Sequence, residues 1–207
     1  TVAGNASEVI ECLTNFPYEY NSIENSDKEE LWNKITEASK NDYIMTTALP
    51  PREGATDTGL VVGHEYTLQW GREVEVDGQA IRLLKIRNPW GSINYTGDWG
   101  KDSSLWTEDL KRQFDYTETY DGEGEFFMAY EHFLYFFADV DICKIENRIC
   151  MKQKVINYEE TAQPSLFQFE LTEAADVTLT MFKPYYRFVK SLPTDWTLTQ
   201  QILLARC

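Results

Sequence analysis

Histidine is scarce in this chain of 207 residues: His64 and His132 are its only imidazoles. The four cysteines, Cys12, Cys143, Cys150 and Cys207, are irregularly spaced, and none belongs to a CxxC pair. That leaves too little to build a structural zinc site, which is excluded. A disulfide framework does not fit either, because a chain of this length can bury a core of its own and opens on nothing resembling a signal peptide. A reducing compartment is expected, with a cytoplasmic location. Basic residues are few, 19 Lys and Arg against 34 Asp and Glu, and the net charge is −15. Such a balance repels phosphate backbones and anionic bilayers, so nucleic acid is not an expected partner. No apolar run approaches the roughly 20 residues of a membrane-spanning helix. Position 1 is Thr rather than Met, and the sequence stops inside the apolar run Ile202-Leu203-Leu204-Ala205. Both ends are therefore expected to be cuts in a longer chain.

Apolar and aromatic residues, by contrast, are plentiful at 43% and 14%, which excludes disorder and points to a folded, aromatic-rich core. Ser26-Asp27-Lys28-Glu29 reads as a capping box, in which Ser26 and Glu29 each satisfy an orphan N–H. The helix it opens runs to about Lys40, with Leu31, Ile35 and Ala38 on one stripe beside Trp32. Tyr43–Leu49 reads as a strand, and 50–59 as a broken polar loop. Leu60–Trp70, Glu73–Val76 and Ile81–Ile86 read as a three-stranded meander, with Asp77-Gly78 as a hairpin turn. Asn88-Pro89-Trp90-Gly91 ends it, since Pro89 has no N–H for a ladder. A polar helix over Thr107–Phe114, a strand over Glu125–Tyr130, a short helix through Phe137 and a strand over Val140–Ile145 follow. Strands and helices are mixed without regular alternation. The expected class is α+β with an antiparallel sheet, not a doubly wound fold, and no nucleotide cofactor is expected.

Composition shifts near residue 147. Leu166, Phe167 and Phe169, then Val177, Leu179 and Met181, alternate as in half-buried strands, which reads as the opening of a β-sandwich. About 60 residues cannot complete a module of ~100. The expected domains are 1–147 and 148–207, the second truncated.

His64 stands at the start of a strand, after Gly63, and Asn88 ends a strand of the same meander. If Asn88 reaches the imidazole, its amide oxygen can accept one ring N–H and leave the other ring nitrogen to face a thiol. Trp90 is placed to cover that bond from water. This is the His/Asn part of a Cys-His-Asn site, in which His deprotonates the thiol and reprotonates the leaving amine. A strand-ending Asn-Pro turn with a core Trp is the plainer reading of the same residues.

Gly63-His64-x-Tyr66, the Gly-containing hairpin, Leu83–Gly91 ending in Arg87-Asn88-Pro89-Trp90-Gly91, then Tyr95-Thr96-Gly97-x-Trp99 and Gly124-Glu125-Phe126-Phe127-Met128 resemble the calpain protease core, in that order and at similar spacing. The resemblance covers about residues 1–145, the second half of that papain-like core, and Ser165–Met181 resembles more weakly the sandwich that follows it. It implies that His64 is the general base, Asn88 its orienting partner and Trp90 the shielding residue. It also implies calcium-dependent hydrolysis of peptide bonds within protein or peptide substrates.

The family's nucleophile lies in a Gly-Asp-Cys-Trp stretch, and no cysteine here is followed by Trp. Cys12 and Cys143 are read as structural, Cys143 in the core. The resemblance thus implies that the Cys-bearing half is a partner and that this chain alone is inactive. It further implies a calcium ion held by carboxylates. Glu123 and Glu125 match the acidic turn, whereas Asn94 and Lys101 stand where loop carboxylates are expected. The turn is read as a weak calcium site or as a solvated acidic turn. A calpain-like scaffold without a working thiol, acting in regulation or peptide binding, is the alternative function. An acidic interaction module with an accidental motif match is the third.

Overall fold

The computed structural model describes residues 6–14, 16–76, 78–92, 95–116 and 124–145. The chain divides into two units, Thr1–Lys154 and Val155–Cys207. All described residues belong to the first, so the sandwich expected over 148–207 lies outside them, as do Cys150 and Cys207.

Among the described residues the helices and strands follow in the order α1 (Ala6–Thr14), β1 (Tyr18–Ser22), α2 (Lys28–Lys40), β2 (Ile44–Leu49), β3 (His64–Val76), β4 (Gln79–Arg87), α3 (Glu108–Gln113), β5 (Glu125–Ala129), α4 (Tyr130–Phe136) and β6 (Asp139–Cys143), with a short 3-10 turn at Thr56–Thr58 between β2 and β3. The strands form one sheet in the order β1-β6-β2-β3-β4-β5, antiparallel throughout. This is the α+β antiparallel half-core that the sequence pattern predicts.

The expected stripe of α2 is buried: Leu31, Trp32, Ile35 and Ala38 all join the main core. Leu68 and Ile86 of the central strands, and Tyr130, Phe133 and Phe137 in and after α4, complete it. The cap differs from expectation. Asp27, not Ser26, is the N-cap, and its carboxylate accepts the Glu30 N–H at 2.9 Å. Starting the helix one residue later frees Glu29, whose carboxylate pairs instead with Arg82 of β4 at 2.6 Å.

Two of the three predicted meander strands are a single one. β3 continues through Gly71 to Val76 because the glycine serves packing: a Cβ there would lie 2.8 Å from Ile35 and 3.0 Å from Leu84. Bare backbone at that point lets α2 close on the sheet. The hairpin to β4 forms as predicted, Val76 pairing with Gln79 and Gly78 adopting φ 76°. A β-bulge between Leu68 and Trp70 leaves Gln69 without a partner across the ladder and re-aims its side chain. A second, smaller core covers Leu83 and Phe127 with Trp99, Leu110 and Phe114. No helix among the described residues is long and apolar enough to cross a membrane.

Candidate active site

The hairpin geometry brings the two predicted site residues together. Thr67 of β3 pairs with Arg87 of β4, so Asn88, just past the end of β4, comes level with the beginning of β3, where His64 stands opposite Leu49. His64 Nε2 lies 2.8 Å from Asn88 Oδ1. Gly63 prepares the entry to the strand: it adopts φ 66° and donates its N–H to the Leu49 carbonyl at 2.7 Å. The space around it is open, with nothing within 4 Å of a Cβ. Its left-handed φ is what favours glycine at this position.

Asn88 is 1% exposed and held at nearly every polar atom. Its N–H donates to the Gly124 carbonyl at 2.8 Å and its carbonyl accepts the Gly91 N–H at 3.0 Å. Its side-chain Nδ2 donates to the Ser92 carbonyl at 3.0 Å, and its Oδ1 accepts the Trp90 N–H at 3.0 Å. These last two bonds fix which end of the amide faces the imidazole. A backbone N–H can only donate, so the shared atom is oxygen, and His64 Nε2 must carry the proton. Neutral His64 is then the Nε2–H tautomer, with the Nδ1 lone pair available as a base. Once His64 is protonated, Nε2–H still donates to the same oxygen, so the orienting bond survives both charge states.

Aromatic rings confine the imidazole on two sides. The Trp90 indole lies across it, with centroids 4.3 Å apart at 40°, and is itself 67% exposed. The edge of Tyr66 meets it at 5.0 Å and 71°. Tyr66 is 1% exposed, and its hydroxyl accepts the Val61 N–H at 2.8 Å and donates to the Val61 carbonyl at 3.2 Å. It thus ties the loop before Gly63 to the ring's support. Tyr66, Gly124 and the Ser92 carbonyl were not legible as site residues. Tyr66 in the Gly-His-x-Tyr spacing and Gly124 at the head of the Gly-Glu-Phe-Phe-Met segment were the available signals.

The remaining candidates lie elsewhere. Cys12, expected as structural, is exposed on α1, because it falls outside the helix face that meets the sheet. Cys143 is a core residue of β6, and burial pushes its thiol pKa up, which keeps it protonated and unreactive. His132 lies on α4. Glu123 is outside the described residues. Glu125 begins β5 and is half-buried, its side chain 9% exposed: Lys85 Nζ lies 2.8 Å from its Oε2, and Gln69 Nε2 donates to its Oε1 at 2.6 Å. A carboxylate already engaged by an ammonium does not fit a calcium shell of about 6–8 oxygens. Among the described residues no group of three or more His, Cys, Asp or Glu could hold a metal.

Three further carboxylates share the other face of the sheet. Glu65, Asp139 and Asp141 stand on neighbouring strands around Thr46 and Ala48, and Asp139 accepts the Ala48 N–H at 2.9 Å. Burial, reinforced by the like charges of Asp139 and Asp141, pushes Glu65 up to about 7, and burial likewise lifts Asp141 to about 6. A folded-state carboxyl pKa above its unfolded value means that the native state binds more protons. Stability should therefore fall as pH rises from the ordinary glutamate range through about 7. Glu65→Gln is expected to remove part of that fall, raising Tm at pH 8 and leaving it nearly unchanged at pH 4. Thermal unfolding of both proteins across that range checks it; parallel curves would contradict it.

A sequence profile described as calpain family cysteine protease matches residues 1–144. Among curated proteins the chain is 28% identical over 163 residues to the calpain-1 catalytic subunit of Sus scrofa, covering 76% of this chain and 23% of that one. It is 32% identical over 148 residues to calpain-9 of Mus musculus, covering 69% and 21%. With the calpain-2 catalytic subunit of Mus musculus it shares 35% over 103 residues, 49% and 15% of the two. It spans less than a quarter of the length of these relatives. With more than two thirds of its residues inside the family profile, the chain belongs to the calpain family of cysteine proteases.

Proposed function

We propose that this chain supplies the general base and the orienting amide of a calpain-type cysteine endopeptidase, the nucleophilic thiol coming from polypeptide outside this sequence. The observation that carries the reading is the 2.8 Å contact between His64 Nε2 and Asn88 Oδ1, with the amide orientation set independently by Trp90 and Ser92. In the reaction, His64 Nδ1 takes the thiol proton, and the thiolate attacks the peptide carbonyl. The imidazolium then protonates the leaving amine, and the regenerated Nδ1 activates the water that frees the acyl group. Through each transfer the second proton stays on Nε2, donated to Asn88 Oδ1. The indole of Trp90 keeps water from competing for that bond. Calcium enters none of these steps.

The test is assembly. This chain is mixed with a separately produced Cys-bearing half of a calpain core and exposed to a peptidyl epoxide that alkylates activated thiols. Labelling of the cysteine should require this chain and the bound peptide portion of the reagent. A folded complex that is not labelled would reject the reading in favour of a binding scaffold.

A further inference from the structure

The pin that holds Asn88 ends beside an ion pair. Gly124, whose carbonyl accepts the Asn88 N–H, is followed directly by Glu125. The Glu125 side chain is 9% exposed and that of Lys85, on the adjacent strand β4, is 11% exposed, with 2.8 Å between charges. The second carboxylate oxygen takes the Gln69 amide, delivered across β4 by the bulge in β3. Three neighbouring strands thus converge on one carboxylate: its Oε1 accepts the Gln69 amide, and its Oε2 has no hydrogen bond and faces the Lys85 ammonium as an ion pair. A calcium ion at Glu125 would have to approach an oxygen that already faces an ammonium, in a site sheltered from water, where like charges repel most strongly.

We infer that Lys85 is the resident cation of this turn, neutralising Glu125 from within the sheet so that the Gly124–Asn88 pin holds without calcium at Glu125. The role that the family resemblance gives to a dissociable ion is taken, at this carboxylate, by a covalently attached one. The orientation of Asn88 is therefore built into the fold of this half rather than switched on by calcium at Glu125. Breaking a buried pair by removing one member leaves an uncompensated charge, which makes the pair testable.

Thermal unfolding of the 207-residue chain, with and without millimolar calcium chloride, provides the test. Wild type and Glu125→Gln should respond to calcium equally, whatever that response is, because Glu125 is not a ligand. Lys85→Met should lower Tm by about 10 °C, and the double variant Lys85→Met/Glu125→Gln should recover most of the loss. If Lys85→Met fails to fold, a folded double variant supports the pairing and an unfolded one overturns it. A calcium-induced rise in the Tm of wild type that Glu125→Gln abolishes would overturn the inference, as would a Lys85→Met protein as stable as wild type.

Discussion

In a core assembled with a thiol-bearing partner, His64→Gln is expected to slow cysteine alkylation and peptide cleavage on the order of 10⁴-fold, the upper range for loss of a positioned base. Glutamine is the informative replacement because its amide can still donate to Asn88 Oδ1 while offering no nitrogen that takes a proton. The hydrogen bond is kept and the chemistry removed. Asn88→Ala should cost less, about 10²-fold and mainly in kcat, because the imidazole remains but turns away from the thiol. It also strands the Trp90 N–H and the Ser92 carbonyl, so Trp90 should lose its place over the ring. Turnover of a peptide substrate by the three assembled proteins checks the ranking. An Asn88→Ala protein as slow as His64→Gln would mean that the amide does more than orient, and equal rates for all three would remove His64 from the reaction.

Gly124→Ala should be the most damaging single methyl in the site. Gly124 adopts φ 74°, and a Cβ there would run into the Asn88 carbonyl oxygen and lie 3.1 Å from Gly91 Cα. Those neighbours are backbone and cannot swing aside like a side-chain end. The left-handed conformation costs about 1–2 kcal/mol for an L-residue, and the forced displacement about 1–3 kcal/mol more. Against a typical total of about 5–15 kcal/mol this is a large share. Urea unfolding should show it, together with a changed environment for His64 in NMR spectra. An alanine variant of wild-type stability and unchanged His64 signals would mean that the turn relaxes freely and does not pin Asn88.

The parts of this arrangement that sequence alone reveals are the ones written in local spacing. The α2 stripe of Leu31, Ile35 and Ala38 and the Gly78 hairpin each depend on residues close in the chain. His64 and Asn88 could be paired on paper because a single hairpin joins them, and register follows from its turn. What escaped depended on distant partners. Gly71 looks like a strand break until Ile35 arrives from α2 to occupy the missing side chain's space. The choice of Asp27 over Ser26 as cap lies within the one-residue play of helix starts, and Arg82, 53 residues away from Glu29, claims the side chain that a capping box would have used. Glu125 reads as an acidic turn because its charge is visible in sequence and its burial against Lys85 and Gln69 is not.

The account rests on the imidazole of His64 presenting Nδ1 as the open nitrogen, and the 15N spectrum of its ring reports this directly. At a pH where the ring is neutral, long-range 1H–15N correlation should give a protonated, pyrrole-type Nε2 and an unprotonated, pyridine-type Nδ1 in the wild-type chain. In Asn88→Ala the two signals should move toward the average of freely exchanging tautomers. A proton found on Nδ1, or a wild-type spectrum already averaged, would contradict it.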